Sequence, residues 1–141
     1  MAVGLKEKID IEKLENEICE KLNPEQKSAV KSEIDEYTSV IAGAGTGKTT
    51  IISAKYVDMI AKLYNKGFKT PLNNILVITF TDKAAANMKA KIFKELKNNK
   101  IEYLGQENHI STIHAFCSKV LRKHAIEAGL TQYFKVGNDE D

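Results

Sequence analysis

The chain has 141 residues, a net charge of +2 and 43% apolar residues. That suits one domain around one core, and it excludes an argument for nucleic-acid binding from net charge alone. The N-terminal stretch MAVGLKEKIDIEKLENEICEKL is too charged for a signal peptide, and no apolar run approaches a membrane span, so a cytoplasmic protein with no membrane partner is expected.

In chain order, Ile9, Ile11, Leu14, Ile18 and Leu22 recur mostly at intervals of three or four, which predicts an amphipathic helix over about residues 6–22. Asn23-Pro24 restarts the chain as an N-cap followed by a proline at the first helical position, and a second helix is expected over about 24–32. Residues 37–42 (YTSVIA) read as a short strand, and 43–47 (GAGTG) as a loop. A helix over about 48–64 is expected to bury Ile51, Ile52, Val57, Ile60 and Leu63. Residues 65–73 form a connection. The run NILVITF, 74–80, is nearly continuous apolar, as in a strand covered on both faces of a parallel sheet. A helix over about 83–98 places Ala85, Met88, Ile92 and Leu96 on one stripe. A third strand over about 109–113 leads into a helix ending near Gly129. Cys19 and Cys117 lack metal-ligand spacing and are expected to be reduced, partly buried thiols.

Two helices followed by three βα units imply a parallel sheet flanked by helices. All the strand-to-helix turns then fall at one end of the sheet, where ligands of such sheets bind. The first turn, Ala42-Gly43-Ala44-Gly45-Thr46-Gly47-Lys48-Thr49, has the P-loop form with alanine in place of the first glycine. Its glycines let successive N–H groups face phosphate oxygens, and the next helix adds its positive end. Lys48 then meets the β- and γ-phosphates and the Thr49 hydroxyl binds Mg²⁺.

The other turns each carry two readings. In Thr79-Phe-Thr-Asp-Lys-Ala, Thr81 or Asp82 serves as a helix cap. In Ser111-Thr-Ile-His-Ala-Phe-Cys117, Ser111 or Thr112 serves as a cap and His114 as an ordinary surface histidine. Gln26 lies three residues after Asn23, where it completes a capping box. Alternatively its amide contacts adenine, accepting from N6 and donating to N7. The lysines at 83, 89, 91, 94, 97 and 100 read as a solvated helix face.

In order, LNPEQKSAV, VIAGAGTGKTT, ILVITFTDKAAANMKAKI and ISTIHAFCSKVLR resemble the N-terminal part of UvrD/Rep-type superfamily 1 DNA helicases. The HAFCSKVLR segment leans toward the RecB/AddA-like branch. The resemblance implies a RecA-like P-loop NTPase core, incomplete here, with residues 1–22 an N-terminal helix and 23–141 part of the ATP-binding domain. It implies adenine contact by Gln26, and ATP and Mg²⁺ binding by Gly43, Gly45, Gly47, Lys48, Thr49 and Thr50. It further implies single-stranded DNA contact by Phe80 and Thr81 and by Thr112 and His114. The implied parent is an ATP-dependent helicase moving 3′ to 5′. Asp82 stands where the family usually has asparagine, and a carboxylate there repels phosphates. The metal-site Asp-Glu strand, the phosphate-stabilising arginine and the second motor domain have no counterpart. Neither Asp35-Glu36 nor the tail 134–141 has the required apolar strand. The chain is therefore expected to be the inactive beginning of a longer helicase, with the rest of that chain as its partner. A standalone nucleotide- and DNA-binding module is the alternative.

Overall fold

Helix α1, Ile11–Ile18, is capped by Asp10, whose side chain accepts from the Lys13 N–H. Helix α2, Pro24–Lys31, opens on a complete capping box: Asn23 N–H donates to Gln26 Oε1 and Gln26 N–H to Asn23 Oδ1, each at 2.9 Å. The long helix α3 spans Lys48–Asn65. A 3-10 turn, Pro71–Asn74, leads to strand β1, Leu76–Thr79, and then helix α4, Asp82–Asn98. Strand β2, His109–Thr112, runs directly into helix α5, Ile113–Lys123. The structure is a computed structural model that describes residues 7–43 and 47–137.

The core forms where α1, α3 and α4 meet the 3-10 turn. Tyr56, Ile60, Leu72, Ile92 and Leu96 are almost wholly buried there, together with Leu14, Met88 and Ile110. Burying each such side chain contributes about 1.5–3 kcal/mol. The predicted α4 stripe is observed complete, with Ala85, Met88, Ile92 and Leu96 all buried. Of the α3 residues expected inside, Ile51, Val57, Ile60 and Leu63 are buried, but Ile52 is exposed. A smaller cluster of Cys19, Val30, Ile51 and Ala54 joins α2 to α3. Of the two free thiols, Cys19 is buried and Cys117 exposed, so the expectation of partial burial holds for one only.

The fold is α/β, but the sheet is smaller than expected. Strands β1 and β2 pair in parallel, Leu76 opposite His109 through Thr79 opposite Thr112, and form a two-stranded sheet. The predicted strand over 37–42 is not formed. A strand exists by pairing with a neighbour, and here Tyr37 and Ile41 stand in solvent, Ile41 at 97% exposure. Nor is β1 covered on both faces: Leu76 and Ile78 are exposed while Val77 turns toward the core. Helix α5 touches the sheet yet buries none of its own residues.

Candidate nucleotide site

Four of the five described α-helices start from a side-chain cap: Asp10, Asn23, Thr81 and Thr112. Helix α3 does not. It begins at Gly47, whose φ of +85° is left-handed and which offers no side chain to the helix end. A side chain at that φ is strained, so the position calls for glycine. The Gly47 carbonyl accepts the first intrahelical bond from Ile51 N–H at 3.0 Å. Lys48, Thr49 and Thr50 follow on the exposed first turn. Ala42 is half-buried and Gly43 exposed just before it. Ala44, Gly45 and Thr46, the middle of the expected P-loop, lie outside the described residues.

Gln26 comes to this helix start. A Cβ placed on Gly47 would lie 3.7 Å from Gln26 Nε2. The two readings of Gln26 are thus compatible. Its oxygen closes the capping box while its nitrogen faces Gly47, and an amide oxygen has a second lone pair. Between α2 and residues 38–42 lies a cleft of about 850 Å³ whose lining includes Gln26, Ser32, Val40 and Ala42. On the opposite side, Lys91 Nζ of α4 donates to Thr50 Oγ1 at 2.6 Å. Of the lysines expected on a solvated face, Lys91 is the half-buried exception, with this contact to make.

The other two turns sit side by side, because Thr79 and Thr112 are paired strand ends. Thr81 Oγ1 accepts from Ala84 N–H and Thr112 Oγ1 from Ala115 N–H, each at 3.1 Å. Both hydroxyls therefore serve as caps, and Asp82 is the first residue inside α4 rather than its cap. Phe80 projects from this edge at 91% exposure, and His114 is exposed one turn into α5.

A buried charge cluster behind the site escaped the sequence reading. Lys55, Asp58 and Lys62 share one face of α3. Asp58 is fully buried, and Lys62 Nζ lies 2.9 Å from its Oδ2 and 3.4 Å from Glu15 Oε1 of α1. Lys55 Nζ, 4.0 Å from the same Oδ2, is the second cation beside this buried carboxylate. Burial pushes the Asp58 carboxyl up to about 6, against the pull of Lys62. Burial opposes the Lys62 charge too, but Asp58 outweighs it and the net shift is upward. The available signal was Asp58 itself, a carboxylate on the same stripe as Ile51, Ala54 and Ala61.

A family model described as the UvrD/REP helicase N-terminal domain matches residues 22–141. The chain belongs to the UvrD/REP helicase family. Over 120 residues it is 40% identical to a probable DNA helicase II homolog of Mycoplasma capricolum, covering 85% of this chain and 15% of that protein. Over 128 residues it is 31% identical to the ATP-dependent DNA helicase PcrA of Bacillus subtilis, covering 91% of this chain and 16% of that protein. Likeness to the helicase/nuclease branch is present as well: an ATP-dependent helicase/nuclease protein of Syntrophomonas wolfei is 30% identical over 128 residues, covering 83% of this chain and 10% of that protein. The chain thus spans about a sixth of the helicases, or less, that it matches. No helix among the described residues is long and apolar enough to cross a membrane.

Proposed function

We propose that this chain is the ATP-binding N-terminal part of an ATP-dependent DNA helicase that translocates 3′ to 5′ on single-stranded DNA in the cytoplasm. In this proposal it contributes part of a RecA-like P-loop core and works with the rest of the helicase chain. The observation that carries the proposal is the start of α3, a left-handed glycine in place of a side-chain cap, inside a P-loop sequence and beside the Gln26 amide. Residues 42–47 supply backbone N–H groups to the phosphates, Lys48 a mobile positive charge to the β- and γ-phosphates, and Gln26 the base contact. Thr49 is exposed on the first turn, and Mg²⁺ keeps waters and phosphate oxygens as ligands, so a single hydroxyl fits its needs. When bound, the ion neutralises phosphate charge. Thr50, held by Lys91, closes the far side. Phe80 stacks on a base of single-stranded DNA, with Thr81, Thr112 and His114 along the same edge.

Calorimetric titration with ATP–Mg²⁺ tests this directly. Lys48→Ala removes a charge-assisted contact of about 1.5–3 kcal/mol and should weaken binding roughly ten- to a hundredfold. Equal affinities would refute the P-loop assignment. The chain on its own lacks the acid pair and arginine that position water and neutralise transferring phosphate, so no DNA-stimulated ATP hydrolysis is expected from it. Turnover that rises with single-stranded DNA and vanishes in Lys48→Ala would overturn that expectation.

A further inference from the structure

The carbonyls at the end of a helix have no partners within it. In α2 those ends are received by two lysines of α3. Lys55 Nζ donates to Val30 O at 3.1 Å, to Ser32 Oγ at 2.9 Å and to Ser32 O. Lys62 Nζ donates to Lys31 O at 3.3 Å. Asp58 stands between them, 4.0 Å from Lys55 and 2.9 Å from Lys62. The spacing 55, 58, 62 keeps all three on one helix face. At the other end of the same short helix, Gln26 faces Gly47. Helix α2 therefore runs alongside α3 in the same direction, gripped at its C-terminal end and carrying Gln26 at its N-terminal end. An α-helix rises about 1.5 Å per residue, so a slide of α2 by a single residue is enough to unseat a hydrogen-bonding amide.

We infer that Lys55, held against Asp58, is a positioning residue that fixes α2 along α3 and so sets the Gln26 amide at the nucleotide site. This inference rests on the proposed nucleotide site and adds the element that registers it. Ser32, which receives Lys55, also lines the cleft that holds Gln26 and Ala42. Lys55 touches none of the phosphate-binding segment; it acts through α2. Burial lowers the Lys55 pKa while Asp58 opposes the shift, as expected of an ammonium group held between helices.

The test measures affinities of the chain for ATP, GTP and inorganic tripolyphosphate, after circular dichroism and melting have shown each variant folded. Lys55→Met should lower the ATP-to-GTP affinity ratio roughly fivefold or more, as loss of a base contact does, and leave tripolyphosphate binding unchanged. Lys55→Arg, which still donates to the carbonyls, should restore the ratio. In a Gln26→Ala background, Lys55→Met should have no further effect on the ratio, because both act through one contact. A merely structural lysine would not give this non-additivity. Lys62→Met, which frees Lys31 O and leaves Lys55 in place, should shift the ratio in the same direction, and it carries the test if Lys55→Met does not fold. A parental ratio in the folded variants, additive effects with Gln26→Ala, or a parent that binds ATP and GTP equally would overturn the inference. If the parent binds no triphosphate, or Lys48→Ala binds as well as the parent, the proposed nucleotide site itself fails.

Discussion

The two halves of the molecule differ in how they treat apolar side chains. Where α1, α3 and α4 meet, Ile60, Leu72, Ile92 and Leu96 are removed from water entirely. Around the sheet, Phe80, Leu76 and Ile78 remain in contact with it, as does Ile41 in the segment 37–42, and α5 buries no residue. The strand over 74–80 was expected to be covered on both faces. The helical half supplies the burial, while the open half presents the turns proposed to contact single-stranded DNA.

The strongest test of that separation is truncation on each side. Ile92→Ala should cost about 2–5 kcal/mol through lost burial and an unfilled cavity, read as a fall in denaturation midpoint. Ile41→Ala should stay within about 0.5 kcal/mol. A comparable loss at Ile41 would show that the open half is packed in solution.

The buried cluster gives the next largest effect. The folded pKa of Asp58, about 6, lies above its ordinary value of 3.8. A raised pKa means that the folded state binds the proton more tightly. The associated stability is present in full below the ordinary value and is lost as pH rises through 6. From pH 7 to pH 4 the parent should therefore gain on Asp58→Asn by about 1–3 kcal/mol, measured by denaturant melts of both across that range. Parallel pH profiles would show that the carboxylate is not desolvated.

On the open side, Phe80→Ala should leave the melting temperature alone while weakening single-stranded DNA binding by about 1–3 kcal/mol for one lost stacked base. Fluorescence anisotropy with a labelled oligonucleotide measures it. A loss of stability without loss of DNA binding would invert the comparison at this residue.

Gln26 straddles both halves, and its variants are expected to have the smallest effects. Gln26→Ala should lower the melting temperature by breaking the capping box, whereas Gln26→Glu should preserve it. Ionised glutamate cannot donate to a purine ring nitrogen. Gln26→Glu should therefore weaken ATP and GTP alike relative to a pyrimidine triphosphate. An unchanged purine preference would show that Gln26 does not donate to the ring nitrogen, and an unchanged ATP-to-GTP ratio in Gln26→Ala as well would leave it a capping residue only.

These contrasts follow what a sequence carries. Helix α4 was fully legible, because the period of its stripe, residues 85, 88, 92 and 96, is a local property that tertiary contacts reinforced. The cap at Asn23 was legible for the same reason, and those of α4 and α5 to within one residue, as Thr81 or Asp82 and Ser111 or Thr112: each bond spans three residues. Residues 37–42 have the composition of a strand, but a strand is completed by a partner distant in sequence, and composition does not supply one. The two-sided burial expected of β1 failed likewise, since it depends on what covers Leu76 and Ile78. Within the candidate site, a glycine at the start of α3 was legible, and Gly47 is left-handed there. The approach of Gln26 to Gly47 and the grip of Lys55 on Ser32, 23 residues away, are contacts between elements, visible only once the helices are placed.

The unequal exposure of the two cysteines gives the chain a built-in reporter. Cys117 lies open on α5, while Cys19 is buried against Val30 with its thiol pushed up in pKa by burial. The thiolate is the nucleophile, so a maleimide dye should attach to native protein once, at Cys117, three residues from His114 on the edge proposed to face DNA. A second label then enters only when the α1–α2–α3 packing opens. Mass spectrometry of a timed alkylation thus counts openings of the helical half while the first dye watches the edge where single-stranded DNA is proposed to pass.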